Sequence, residues 1–413
     1  MRRKASACES PAARRLPWYA SPGAVVSDLG HGDAIQGDIW LPIPRGPALH
    51  RRRRASGAVA DASPPRWPSS PERSPKRLAP HAYHPASITV KPMDRPPFRF
   101  AVQATNAAGG REWRDTVRKV EDLGYSTLFL ADHYLGPGPA QKAARTPRQD
   151  LAPIAAMAAA AAFSETLRIG CRVFCIDYHV PAVLAKEAAT LDLLSGGRLE
   201  MGIGAGWSEV EYTAMGLEFD SPGRRIAKLA EVVSLIRAHW QGDELDYSGD
   251  FVHVRGYAGR PRPVQQPHPP IMIGGGGQRV LSLAARVADI VSISSVPFVA
   301  RDADGLDPQA VAQRRIGYVR AAAGERYRGL DVESSPYFTE ITDDPETYLA
   351  GVAKSSGIPV DLLRDHPNVL VGSAESVAET LCSRRDTFGI NYVTVQQSQI
   401  ESFAPVATRL HGR

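Results

Sequence analysis

The chain has 413 residues, 43% of them hydrophobic, and carries a formal net charge of +5. This length accommodates one barrel domain of about 250–330 residues together with an extension. The sequence contains no run of 18 apolar residues, which excludes a transmembrane helix. The sequence contains only four cysteines, namely Cys8, Cys171, Cys175 and Cys382. Because these do not form a disulfide framework, we expect a protein of the reducing cytoplasm.

The positive charge is concentrated near the N-terminus. Residues 1–92 contain 15 Arg and Lys against 6 Asp and Glu, so the remainder of the chain carries a net charge of −4. A mildly acidic domain gives no reason to expect a nucleic acid as partner.

Residues 1–92 also differ from the rest in composition. They contain 14 prolines, and no helical or strand period persists in them for more than a few residues. Such a segment buries too little apolar area to offset its chain entropy, so we expect a disordered Arg- and Pro-rich extension. A signal peptide is not indicated, because no apolar run follows Arg2–Lys4. We expect the barrel domain over residues 93–413, with Met93 as the true start.

From Phe98 onward, short apolar runs alternate with helical periods. The predicted strands are Phe98–Gln103, Ser126–Ala131, Leu167–Cys175, Leu199–Ile203, Ile271–Ile273, Asp289–Ser294, a seventh near Pro336–Ile341, and Asn391–Gln396. Helices are predicted between them, including Arg111–Leu123, Asp150–Phe163, Pro181–Leu194, Gly223–Trp240, Arg279–Val287, Ala310–Ala322 and Ser373–Arg385. Eight strands separated by helices predict an α/β fold, a closed (β/α)8 TIM barrel. Residues 246–254 predict a short hairpin inserted after the fourth helix.

Two polar residues directly follow the second predicted strand. In such barrels the loops after the strands carry the chemistry, and Asp132 and His133 occupy the start of one of these loops. Histidine exchanges a proton near neutral pH, and a neighbouring carboxylate can fix its tautomer. His133 and Asp132 are therefore candidate catalytic residues, with a helix-capping Asp and a surface His as the alternative.

Two glycine-rich loops follow other strands. The loop Gly202–Trp207 resembles a dinucleotide fingerprint, but Trp207 displaces the third glycine and no compact βαβ unit follows, so a Rossmann site is disfavoured. The loop Gly274–Gly277 precedes a helix, and free amides at a helix N-terminus suit a phosphate. A flexible turn is the alternative there, although four consecutive glycines are entropically costly.

The third predicted strand contains an unexpected charge. Arg172 stands in an otherwise apolar parallel strand, so it either meets an anionic ligand at the barrel mouth or marks the tip of the strand. Cys171 and Cys175 in the same strand lack a second pair of ligands, which favours two buried apolar side chains over a zinc site. We expect no metal site.

In this order, these residues resemble the bacterial luciferase-like superfamily of barrel oxidoreductases. The resemblance covers about residues 98–410. Its carriers are Leu123-Gly-Tyr, Ala131-Asp-His, Arg168-Ile-Gly, His179-Val-Pro-Ala, Lys186-Glu, Leu191-Asp-Leu-Leu-Ser-Gly-Gly-Arg-Leu, Gly202-Ile-Gly-Ala-Gly-Trp, Tyr212-Thr-Ala-Met-Gly, Pro222-Gly-Arg-Arg, Pro270-Ile-Met-Ile-Gly-Gly-Gly-Gly and Gly372-Ser-Ala-Glu-Ser-Val-Ala.

The resemblance implies a coenzyme at the barrel mouth, either FMN or the deazaflavin coenzyme F420. It implies that Arg172 and Val173 back the coenzyme ring, often through a non-prolyl cis peptide. It implies that two sets of loop residues line the phosphate-bearing tail, namely Gly204, Ala205 and Gly206, and Gly275, Gly276 and Gly277. His133 matches the active-site histidine of deazaflavin-dependent members. Trp207 stands near the place of the glutamate of deazaflavin-dependent sugar-phosphate dehydrogenases, which makes a sugar phosphate an unexpected substrate.

The leading hypothesis is an enzyme that transfers a hydride between coenzyme F420 and a small organic substrate. The sequence leaves the oligomeric state open, and a homodimer is one of the options. The 41 Arg against 8 Lys indicate a GC-rich genome, as in the actinobacteria where such enzymes abound. An FMN-dependent monooxygenase fed by a separate reductase is the alternative enzyme. A non-catalytic flavin-binding carrier or sensor is the alternative from another class.

Overall fold

The computed structural model describes residues 96–413, apart from residues 145, 147 and 243. The expected extension over residues 1–92 and the expected start at Met93 lie outside these residues.

The described part of the chain contains 13 strands. They are β1 (Arg99–Gln103), β2 (Thr127–Leu130), β3 (Arg168–Cys171), β4 (Phe174–Cys175), β5 (Leu199–Gly204), β6 (Leu245–Ser248), β7 (His253–Tyr257), β8 (Ile271–Gly275), β9 (Ile290–Ile293), β10 (Asp331–Ser334), β11 (Phe338–Ile341), β12 (Val369–Gly372) and β13 (Tyr392–Gln396).

The same residues form 12 α-helices. They are α1 (Gly110–Asp122), α2 (Pro139–Ala144), α3 (Pro153–Phe163), α4 (Pro181–Leu194), α5 (Glu209–Ala214), α6 (Pro222–Gln241), α7 (Gln278–Val287), α8 (Pro308–Ala323), α9 (Pro345–Ser356), α10 (Val360–Arg364), α11 (Ala374–Phe388) and α12 (Ile400–Leu410). No described helix combines the length and the apolar character needed to cross a bilayer.

The predicted closed barrel is confirmed. Parallel pairing runs in the order β3, β2, β1, β13, β10, β9, β8 and β5, and β5 pairs back with β3 to close the ring of eight. β4 continues the line of β3 and also pairs with β5, so these two segments form one interrupted barrel strand. The predicted hairpin is confirmed as well, because β6 and β7 pair antiparallel directly after α6.

The prediction that the seventh barrel strand lies near Pro336–Ile341 is wrong. The barrel strand is β10, whereas the predicted segment contains β11, which pairs with β12 outside the barrel. The reason is that Asp331 and Glu333 give β10 a polar sequence, although both pair with arginines: Asp331 with Arg99, and Glu333 with Arg172. Because these charged residues form ion pairs within the protein, β10 lacks the apolar pattern by which a barrel strand is predicted.

Apolar packing holds the helices against the outside of the barrel. In α1 the residues Trp113, Val117 and Val120 lie on one face at helical spacing and are buried. A second cluster, formed by residues of the barrel strands, consists of Ala101, Phe129, Met272, Ile290 and Tyr392, with Val173 packed against it. The barrel is thus a filled core, and a ligand can approach only at its ends.

Candidate active site

A glutamate and a histidine meet at the C-terminal mouth of the barrel. His133 follows β2, and Glu211 lies in α5, the short helix after β5. Nδ1 of His133 is 2.8 Å from Oε2 of Glu211. An ionised carboxylate can only accept, so this contact assigns the proton to Nδ1 and leaves Nε2 as the nitrogen that can exchange a proton with a ligand.

Glu211 is fully buried, yet its ionised form is favoured. Burial by itself would raise the pKa of Glu211, but the hydrogen bond and positive charge offered by His133 lower it below its ordinary value. The backbone N–H of Tyr134, at 2.8 Å, and the hydroxyl of Tyr178 add to this effect. Glu211 is therefore a carboxylate at neutral pH that can orient the imidazole.

The ring of His133 has a second neighbour. Trp207 contacts it edge-on, with ring centroids 5.9 Å apart and an angle of 79° between the planes. The indole is 44% exposed, so it forms part of the rim of the mouth. His133 is consequently held by a carboxylate on one side and an aromatic wall on another.

Asp132 has different partners from its neighbour His133. Its Oδ2 accepts a hydrogen bond from the backbone N–H of Cys175 at 2.8 Å and lies 2.9 Å from Nε2 of His179. These contacts tie the loop after β2 to β4 and to the start of α4. The structure thus brings together His133 with Glu211, and Asp132 with His179; the role of Asp132 in catalysis stays a prediction.

Arg172 and Val173 interrupt the third barrel strand. The peptide bond between them is cis, as the resemblance implied. Nε of Arg172 donates to Oε1 of Glu333 at 2.9 Å, and one terminal nitrogen donates to Oε1 of Gln103 at 3.3 Å. The side chain of Arg172 therefore lies within the upper end of the barrel, paired with a carboxylate of the same chain.

The glycines at the end of β5 and directly after it leave room for neighbouring side chains. A Cβ at Gly204 would come within 2.8 Å of Val173, and one at Gly206 would overlap the hydroxyl of Tyr212. Gly206 also has a φ of 71°, a conformation that favours glycine. The carbonyl of Ala205 accepts a hydrogen bond from Arg225 at 3.1 Å. Close packing thus explains the two glycines, and contact of Gly204, Ala205 and Gly206 with a coenzyme stays a prediction.

The loop before α7 is more open and has a cation beside it. Within the described part of the chain, a Cβ at Gly277 would meet nothing within 4 Å, and no side chain caps the helix that Gly277 precedes. A Cβ at Gly276 would lie 3.1–3.3 Å from the guanidinium of Arg315. In contrast, Gly275 packs directly against Val280. Free amides, a helix N-terminus and a guanidinium at one place suit an anion such as a phosphate.

The cysteines of the third barrel strand are buried thiols. Burial, the largest effect, raises the pKa of Cys175 to about 12, and its sulfur lies 3.0 Å from the hydroxyl of Tyr212. That hydroxyl donates to Asp177 at 2.7 Å, and Asp177 pairs with Lys228. These protonated thiols are poor metal ligands, and within the described ranges no group of His, Cys, Asp or Glu side chains could hold a metal ion.

Sequence reasoning missed three residues of this region. Glu211 follows Ser208 by three positions, a spacing that signals a helix cap, and the hydroxyl of Ser208 indeed accepts from the Glu211 backbone N–H at 3.4 Å. The same glutamate nevertheless turns its side chain to His133. Glu333 and Arg315 carried no signal, because their partners are 161 and 21 residues away in the chain.

Comparisons with known proteins agree with this geometry. The family model described as luciferase-like monooxygenase matches residues 97–389. The chain is 31% identical to an F420-dependent glucose-6-phosphate dehydrogenase of Microbacterium testaceum, over 47% of this chain and 55% of that protein. It is 29% identical to an FMNH2-dependent dimethylsulfone monooxygenase of Pseudomonas putida, over 40% of this chain and 47% of that protein. The alignments therefore span about half the length of these curated relatives.

A solved structure extends the likeness of the fold. The coenzyme F420-dependent tetrahydromethanopterin reductase from Methanopyrus kandleri superposes with a TM-score of 0.59 at 17% sequence identity, covering 76% of this chain and 98% of that one. The relatives thus include enzymes named for F420 and enzymes named for FMN, all of them oxidoreductases. With a family match over most of its length and the barrel that this family forms, the chain belongs to the luciferase-like monooxygenase family.

Proposed function

We propose that this protein is an oxidoreductase that transfers a hydride between coenzyme F420 and a small organic substrate. The observation that carries the proposal is the His133–Glu211 pair, which offers one exchangeable proton at the mouth of the barrel. A deazaflavin has a carbon in place of the central nitrogen of a flavin, so it supplies or accepts a hydride and does not readily activate oxygen. The protein must then manage one proton for each hydride.

The residues present fit such a coenzyme. Val173 offers an apolar surface at the top of the barrel core, against which a flat ring can lie. The open amides at Gly276 and Gly277, with Arg315 beside them, suit the phosphate of the tail. Among the described residues, the guanidinium of Arg315 donates hydrogen bonds to the carbonyl oxygens of Ser294 and Ser295, and neither of these acceptors is a carboxylate. Both ends of the coenzyme therefore have a matching surface.

In the proposed reaction, the side chains of His133 and Glu211 carry out the proton transfer. While the Nδ1–H group of His133 donates a hydrogen bond to Glu211, Nε2 accepts a proton from an oxygen of the substrate or, when the ring is charged, gives a proton to it. The carboxylate of Glu211 stabilises the charged imidazolium that results, because Glu211 is fully buried and the side chain of His133 is only 16% exposed. Trp207 shields one edge of the imidazole from water. The substrate is proposed only as a small organic molecule that gains or loses a proton.

A binding titration with both coenzymes tests the proposal. We expect the fluorescence of F420 to change on addition of the protein with a dissociation constant in the micromolar range or below, the range of specific ligand binding, and to find FMN much weaker. Tight binding of FMN without binding of F420 would replace the proposal by an FMN-dependent monooxygenase, the activity named for the Pseudomonas relative. Binding without turnover of any tested alcohol, ketone or enone would favour the carrier or sensor.

A further inference from the structure

Two arginines at the mouth differ in how their charge is compensated. Arg172 is paired with the fully buried carboxylate of Glu333, and its own side chain is 19% exposed. Arg315 donates to two backbone carbonyls instead. A guanidinium beside a carboxylate has little net charge, whereas one beside carbonyls keeps its full charge. Arg172 and Arg315 should therefore bind different kinds of ligand oxygen, one neutral and the other negatively charged.

The pair Arg172–Glu333 is not explained by stability. Oε2 of Glu333 is buried and has no hydrogen-bond partner among the described residues, and the same holds for Oγ1 of Thr394 on the adjacent strand β13. Burying an ion pair costs the desolvation of both charges, and an unpaired buried oxygen adds to that cost. An apolar pair of similar volume would often serve a barrel core as well. This arrangement points to a role for Arg172 in binding.

The fixed geometry of Arg172 defines what it can bind. Glu333 occupies Nε and Gln103 one terminal nitrogen, and the other terminal nitrogen has no partner in the hydrogen bonds of the described chain. A planar guanidinium held at two points presents its remaining N–H groups in one direction. Because the pair is nearly neutral, a carbonyl oxygen suits it better than a phosphate. Arg172 also adjoins Val173, the residue against which we place the coenzyme ring.

We propose that Arg172 donates a hydrogen bond to a carbonyl oxygen of the coenzyme ring, and that Glu333 is the residue that positions it. This inference rests on the proposed function in requiring a coenzyme of the flavin type. It does not depend on which coenzyme is used, since both FMN and F420 carry carbonyl oxygens on the same ring. The mouth then divides recognition between Arg315 for the phosphate and Arg172 for the ring.

The test compares each coenzyme with its ring system lacking phosphate, namely riboflavin for FMN and the deazaflavin nucleoside for F420. We expect Arg172→Lys to weaken the binding of the coenzyme and of its phosphate-free form by the same factor, roughly 10-fold or more, the scale of a lost hydrogen bond to a charged donor. We expect Arg315→Lys to weaken the coenzyme alone. The absorption maximum of the bound ring should shift in Arg172→Lys and stay in place in Arg315→Lys.

Two further variants complete the design. Arg168→Lys changes an arginine at the opposite end of the barrel, near Glu200, and should leave both affinities unchanged. Glu333→Gln keeps an acceptor for Nε of Arg172 and should weaken both ligands equally, by a smaller factor than Arg172→Lys.

Several results would overturn the inference. One is a lower melting temperature for Arg172→Lys with unchanged affinities and an unchanged spectrum, since the pair would then be structural. Another is a higher KM for the substrate with unchanged coenzyme binding, since the carbonyl would then belong to the substrate. If the unaltered protein binds only FMN, the proposed function fails and this inference is tested on FMN and riboflavin. If it binds neither coenzyme, both fail.

Discussion

Nδ1 of His133 and Oε2 of Glu211 lie 2.8 Å apart, although 78 residues separate them in the chain. The pair joins the loop after β2 to α5, the short helix that follows β5. Since Glu211 is fully buried and its pKa is lowered, its negative charge fixes the orientation of the imidazole. Catalysis by His133 should therefore depend on Glu211.

Replacing these two residues should separate chemistry from binding. We expect His133→Ala to lower turnover by roughly 100-fold or more, the usual effect of removing a positioned acid or base. Glu211→Gln keeps an acceptor but loses the charge, so it should lower turnover by a smaller factor. Coenzyme affinity should change little in either variant, as measured by titration. Turnover of His133→Ala equal to that of the unaltered protein would remove His133 from the mechanism.

The distance between His133 and Glu211 also shows where sequence reasoning ends. The barrel could be predicted because strand and helix periods are local. Four glycines in a row likewise indicated a loop before α7, although Gly274 and Gly275 belong to β8 and only Gly276 and Gly277 form the loop. The partner of His133 could not be predicted, since the Ser208-x-x-Glu211 spacing has a local explanation as a helix cap. Glu333 was missed for a related reason: a charged residue facing the barrel interior breaks the apolar pattern of a strand. Long-range pairs with His133 and Arg172 thus account for the two missed glutamates.

The loop before α7 offers a test of the phosphate site. An aspartate at position 276 would place its carboxylate beside Arg315, whose guanidinium lies 3.1–3.3 Å from the Cβ position. The cation would then be neutralised within the protein, and the carboxylate would repel a phosphate. We expect Gly276→Asp to weaken coenzyme binding by roughly 10-fold or more at low salt, with the loss reduced as salt screens the charges.

Gly276→Asn is the matched control, because it has nearly the same size without the charge. It should retain most of the affinity. Equal losses in both variants would mean that the added bulk, and not the charge, disturbs the loop.

Gly206 tests the close packing beneath the loop after β5. Its φ is 71°, and a Cβ there would overlap the hydroxyl of Tyr212. We expect Gly206→Ala to lower the free energy of unfolding by about 1–3 kcal/mol, from backbone strain and overpacking together. Chemical denaturation would measure the loss. Adding Tyr212→Phe to Gly206→Ala should recover part of it; a purely additive double variant would contradict the proposed collision.

The stability of the protein at mildly acidic pH should depend on His366. This residue is 1% exposed and stacks on Phe298 with ring centroids 3.9 Å apart. Its Nδ1 accepts from the backbone N–H of Asn368 at 3.1 Å, and Nε2 lies 3.2 Å from the carbonyl oxygen of Pro297, to which it can donate. Both nitrogens are satisfied in the neutral ring, so a second proton would face a donor.

The pKa of His366 is accordingly lowered to about 4. Burial is the main cause, the hydrogen bond to Pro297 opposes it, and the charge of Arg384 adds to it. In the unfolded chain this histidine titrates near 6.5, so between pH 6.5 and about 4 the unfolded state binds more protons than the folded state. The contribution of His366 to stability is therefore fully present above pH 6.5 and is lost as the pH falls toward 4.

Urea unfolding of the unaltered protein and of His366→Gln across this pH range would measure the effect. The full shift corresponds to about 3 kcal/mol as an upper limit. We expect His366→Gln to be less stable at neutral pH but to lose much less stability on acidification, because glutamine does not titrate. His411→Gln, at an exposed histidine, is the control and should follow the unaltered protein. Parallel pH profiles for the unaltered protein and His366→Gln would show that other groups govern its acid sensitivity.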